Sequence, residues 1–169
     1  MIHDLTGLIH TVAALLAMAT GSMIFMRPKG GSKHRKLGYA YSVCMVVMLG
    51  SSFMLYRLTG GFNALHLAAI MGSVTLVFGL KFAILRQPAR GWYFFHYLWM
   101  SWSFVGLLAA FGAELSTRLV LPYLIAHYED FDRTAFWTMV GVVSALVLFI
   151  GSRLIKKYQP AYPFASSDE

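Results

Sequence analysis

Charge is scarce in this chain, and acid is scarcer. Only 12% of its 169 residues are charged, with seven Asp and Glu against fourteen Lys and Arg. Soluble domains carry about 25% charged residues, so a composition that is 58% hydrophobic excludes an ordinary soluble domain. Cysteine is reduced to Cys44, which excludes an internal disulfide and reads as a small buried apolar residue. The first residues, Met1–Thr6, hold Asp4 but no Lys or Arg. Ala17-Met18-Ala19 therefore does not follow the basic head of a signal peptide. No phosphate loop, Gly-rich dinucleotide fingerprint or nucleophile elbow is present.

Long apolar runs are what the chain has instead. A helix of about 20 apolar residues crosses the roughly 30 Å hydrocarbon core of a bilayer. Five such spans are expected, near Leu5–Met26, Leu37–Leu58, Ala64–Leu85, Tyr93–Ala113 and Phe136–Ile155. The fold class is all-α, a multi-span transmembrane helical bundle. Short connections make residues 1–157 a single domain and 158–169 a short tail. The cations fix the orientation. Eleven of the fourteen fall on one side of the spans, and only Arg57, Arg118 and Arg133 on the other. Positive residues stay inside, so the N-terminus is expected outside and the C-terminus in the cytoplasm. The expected setting is a membrane crossed several times, which the family resemblance given below would make a bacterial inner membrane. The net charge of +7 is thus a topology signal, and no nucleic-acid partner is expected, because no soluble basic domain carries it.

The connections agree with this picture. Arg27–Lys36 (RPKGGSKHRK) combines helix breakers with five cations and reads as a stop-transfer flank. Thr59–Asn63 is a tight outer turn in which Asn63 can cap the third span. Glu114–Ala135 is the one long connection. It is expected to extend the fourth span, break near Pro122, and then lie along the outer surface.

Ionisable groups inside spans are costly, so each is a functional candidate. His10 and His66 fall near the outer ends of spans one and three. His96 falls near the inner end of span four, and His34 in the basic loop before span two. Helical spacing aligns His10 with Ala13, Ala14, Ala17 and Gly21, a small-residue stripe that should face protein. His66 aligns with Ala69, Ser73 and Leu80, and His96 with Ser103 and Ala110. Glu114 lies about five turns after His96 on the same face, with Arg118 one turn further on.

Imidazole pairs on neighbouring spans are the usual axial ligands of membrane haem b. An outer pair, His10 and His66, and an inner pair, His96 and His34, would give a two-step electron path. Arg57 and Arg118 would neutralise propionates. A second constellation is a divalent transition-metal site of His10, His66 and Glu114, supplemented by His3, Asp4 or His127. The same histidines also suit plain interhelical hydrogen bonding, and Glu114–Arg118 an ordinary interfacial ion pair. Trp92, Tyr93, Trp99, Trp102, Phe136 and Trp137 read as interfacial belts, although a quinone pocket would use such rings too. Met45, Met48 and Met54 read as packing.

Several segments together are familiar. The His in span one is followed by KHRKLGYAY (Lys33–Tyr41), GGFNALHLAA (Gly60–Ala69), HYLWMSWSFVGLLAA (His96–Ala110) and LSTRLVLP (Leu115–Pro122). The order resembles a bacterial integral-membrane family, domain-of-unknown-function group 2306, over about Thr6 to Pro122. The resemblance singles out His10, His34, Arg35, Gly38, His66, His96, Met100 and Arg118. The Trp-rich stretch after His96 departs from its pattern. It implies a membrane fold and no established activity. Three functions are therefore expected in turn. The first is a b-type haem protein passing electrons within the bilayer, with quinol as a possible partner. The second is a non-catalytic accessory subunit of a larger membrane complex. The third is an outer-face metal-site protein.

Overall fold

A computed structural model describes residues 5–55, 60–128 and 133–160. Its described residues are helical, with no strand among them. The helices are α1 (Leu5–Phe25), α2 (Ser32–Ser52), α3 (Ala64–Leu85), α4 (Trp92–Leu115), α5 (Leu121–His127) and α6 (Arg133–Tyr158). A π-helical turn, Ser116–Val120, joins α4 to α5 without a break. Helix dominates because a backbone in hydrocarbon must satisfy its own N–H and C=O groups.

Of the five long helices, four are long and apolar enough to cross a bilayer: α1, α3, the continuous α4–α5 rod Trp92–His127, and α6. The fifth, α2, matches α1 in length at 21 residues. Its first turns carry Lys33, His34, Arg35 and Lys36, which lower its apolar content. This corrects the expected boundary at Leu37. The helix starts as soon as Gly31, in extended conformation, releases the chain. Lys and Arg are good helix formers, so the basic segment is wound into α2 instead of staying in the loop. Pro122 also fails to break the chain: it comes just after the π turn, which has already interrupted the α-helical hydrogen-bond ladder.

Helices α1 and α2 pair, as do α3 and α4; α4 additionally supports α6 and touches α1. The buried face of α1 is His10, Ala13, Ala14, Ala17 and Gly21, the stripe read from spacing. No hydrophobic force draws helices together in lipid, so close approach over small residues supplies dispersion instead. A Cβ on Gly21 would sit 2.5 Å from the Phe104 ring, so only glycine fits there. Polar ties fasten the rod to α2 and to α6. Tyr41 and Ser103 share a buried hydrogen bond of 3.0 Å between α2 and α4. The Tyr97 hydroxyl donates to the Ile155 carbonyl of α6 at 3.0 Å. Leucine, valine and phenylalanine side chains cover the outer surface, as a lipid-facing wall requires. Phe136 differs from the belt role expected of it. It is buried, packed with Ala113 and Val140.

Candidate functional site

At the end of the bundle where α1 begins and α4 finishes, the helices line a partly open cavity of about 390 Å3. Its walls are mostly small or apolar: Ala14, Ala69, Gly72, Gly106 and Leu107 among them. The close-packing stripes make this space, because larger side chains at these positions would fill it. Into it come His10 from α1, His66 from α3, Glu114 from α4 and Arg118 from the π turn. The expected outer set is thus brought to one place. An apolar pocket with a few convergent polar groups is the usual form of a small-molecule site.

His10 is buried and holds three helices together. Its Nδ1 lies 3.0 Å from the Met48 carbonyl oxygen and 3.2 Å from Ser51 Oγ, both on α2. A carbonyl oxygen only accepts, so Nδ1 carries a proton and donates. The other nitrogen, Nε2, lies 3.3 Å from Glu114 Oε2 on α4. One proton must sit between that nitrogen and that oxygen for the bond to exist. The pair is therefore either imidazolium and carboxylate, or neutral imidazole and carboxylic acid. Glu114 Oε1 also takes a close, charge-assisted hydrogen bond from Arg118 Nη2. The π turn carries Arg118 and Thr117, both of which reach the cavity wall. Such turns recur at functional sites because the extra residue re-aims the side chains around it.

His66 is fixed differently. Asn63 caps α3 by accepting the Leu65 N–H at 2.9 Å, while His66 Nδ1 accepts the Asn63 N–H at 3.3 Å. Accepting at Nδ1 puts the proton of the neutral ring on Nε2. The ring stacks on Phe62, with centroids 5.2 Å apart. The expected cap at Asn63 is present, and it also sets the pose of His66.

The second expected pair meets at the opposite, basic end. The rings of His34 and His96 stand 6.4 Å apart, centroid to centroid, and are perpendicular. His96 Nδ1 donates to the Gly79 carbonyl at 2.8 Å. Two histidine pairs therefore occupy opposite ends of the bundle. His127 lies on α5, stacked on Tyr123 and donating from Nδ1 to its carbonyl at 2.8 Å, and it is not part of the cavity wall. Arg57, His3 and Asp4 lie outside the described residues. Among the described residues, no three of His, Cys, Asp and Glu are gathered as a metal-holding group. Met45 and Met48 are buried in the main apolar cluster.

Spacing alone missed the partners of the histidines: the Met48 carbonyl, Ser51 and the Gly79 carbonyl. Backbone carbonyls leave no mark in a sequence. Ser51 offered a weak one, as a hydroxyl at the end of a span. Its Oγ also donates to its own helix, to the Val47 carbonyl at 2.8 Å.

A family profile described as "Predicted membrane protein (DUF2306)" matches residues 7–155, which extends the likeness beyond Pro122 through most of α6. No curated protein and no solved structure matches the chain.

Proposed function

The chain belongs to this family of predicted membrane proteins, and from that premise we propose that it is a b-type haem protein working within the bilayer. The observation that carries the reading is the convergence of His10 and His66, from α1 and α3, on one mostly apolar cavity of about 390 Å3. Bound haem b supplies one-electron transfer between ferrous and ferric iron.

The residues fit that group unequally. Donation from His10 Nδ1 to a backbone carbonyl is the support that orients a metal-binding imidazole and leaves Nε2 as the ligand atom. Ligation there requires Glu114 to release Nε2 and rest on Arg118 alone. His66 must move its proton from Nε2 to Nδ1 and give up the Asn63 N–H. Arg118 stands where it can neutralise a carboxylate at the cavity wall. With the basic end held in the cytoplasm, the cavity lies toward the outer face of a bacterial inner membrane.

The test is the absorbance spectrum of His10→Ala and His66→Ala proteins. Each variant is expected to lose the Soret band of the parent. An unchanged band in both would remove the haem reading.

The Glu114 contact favours a second reading. A carboxyl and an imidazole sharing one proton at an apolar cavity would serve a quinone head group directly. A haem-free protein that binds a short-chain ubiquinone, and binds it at least tenfold more weakly as His10→Ala, would establish that alternative.

A further inference from the structure

The cavity does not use the pair at the basic end, and that pair has the marks of a separate site. His96 is held by its Nδ1–H on the Gly79 carbonyl, so its Nε2 presents a lone pair. His34 Nδ1 is buried and has no hydrogen-bond partner. A buried nitrogen left without a partner costs free energy unless something fills its place. An ion bonded at roughly 2.0–2.1 Å to two opposed imidazoles holds their ring centres about 6–6.5 Å apart. The observed separation is 6.4 Å. Met100 lies one turn beyond His96 on α4, with its thioether against the same Gly79.

The donors select the metal. Calcium and magnesium take oxygen ligands, whereas the side chains gathered here offer imidazole nitrogen and thioether sulfur. Imidazole and thioether are neutral donors that suit copper, and the thioether favours its reduced form. Lys29 lies close enough to act electrostatically on His34. Its charge opposes a divalent ion twice as strongly as a monovalent one. Lys29 itself is occupied in donating to carbonyls at the end of α1 and just past it, including Phe25 at 3.1 Å and Arg27 at 2.9 Å.

We propose that His34 and His96, with Met100 beside them, form a binding site for a single copper(I) ion at the basic end of the bundle. The site takes the place of the inner haem pair expected from spacing and is independent of the haem reading of the cavity; its main readout is bound copper, and haem absorbance enters only as a contrary outcome. Metal-stripped, full-length protein in detergent is titrated with copper(I) in the presence of bicinchoninate, which reports the metal it keeps by its colour. One equivalent is expected to pass to the protein. The affinity should fall at least tenfold in His34→Gln and in His96→Gln, and stay within twofold of the parent in His10→Gln and His66→Gln. X-ray absorption of the copper-loaded parent protein needs no variant, and two imidazole nitrogens are expected in its metal shell. The proposal is overturned if the parent leaves copper(I) with the competitor. Undiminished binding in both basic-end variants, or a shell without imidazole, does the same. So does a Soret feature that disappears in these two variants from a protein that takes no copper.

Discussion

His10 gains its importance from the number of elements it joins. One imidazole bonds to the backbone of α2 through Nδ1 and to the carboxyl of α4 through Nε2, and so closes three helices around the cavity. Glu114 is held from both sides, by His10 and by Arg118. On the proposed haem reading, Nε2 would be the atom that holds the iron, and the carboxyl would be dispensable to the ligand. Glu114→Gln is therefore expected to retain the Soret band while His10→Ala loses it. In haem-free protein the same Glu114→Gln change weakens a charge-assisted bond and should lower stability by about 1–2 kcal/mol. Unfolding by denaturing detergent measures the loss, and equal stability of the two proteins would show that the contact is idle. The positions of these residues were legible in the sequence, because an ionisable group at a small-residue stripe has few uses. Their partners were not. Glu114 shares a face with His96 by helical repeat, yet it bonds to His10, since the register between helices decides contacts that spacing within one helix cannot.

At the scale of the element, small residues govern. Ala13, Ala14, Ala17 and Gly21 let α1 approach α2 and α4, and periodicity alone identified this face. The start of α2 was harder to read. Its cations mark the membrane boundary, but they do not mark the end of a helix, because a helix continues through the interface as readily as a loop does. Placing His34 inside α2 is what sets it beside His96. Two glycines separate packing from propensity. Gly21→Leu drives a side chain into Phe104 and should destabilise the protein by about 1–3 kcal/mol. Gly38 has nothing within 4 Å of a built Cβ, so Gly38→Ala should be neutral or stabilising by about 0.5 kcal/mol. Thermal unfolding of both variants is the check, and equal losses would contradict the close approach at Gly21.

For the whole molecule, the asymmetry of charge is the main organising feature. The Glu114 cavity and the basic end lie at opposite ends of the bundle, each with a histidine pair. If the positive end is cytoplasmic, a single cysteine at Ser32 in a Cys44→Ser background should resist an impermeant maleimide added to intact cells. One at Asn63 should react. The reverse pattern would invert the orientation and move the cavity to the cytoplasmic face. The bundle architecture followed from hydropathy and charge, since lipid leaves a backbone few alternatives to helix. The cavity did not, because an interior space depends on how the stripes of separate helices meet.

The central claim is that the cavity takes haem, and one spectrum tests it most directly. Purified protein is measured oxidised and then dithionite-reduced, with metal analysis of the same sample. The account predicts a Soret band that sharpens on reduction, with iron present in stoichiometric amount. A colourless, iron-free protein from haem-replete cells would contradict it and leave His10 and Glu114 as a proton-sharing pair.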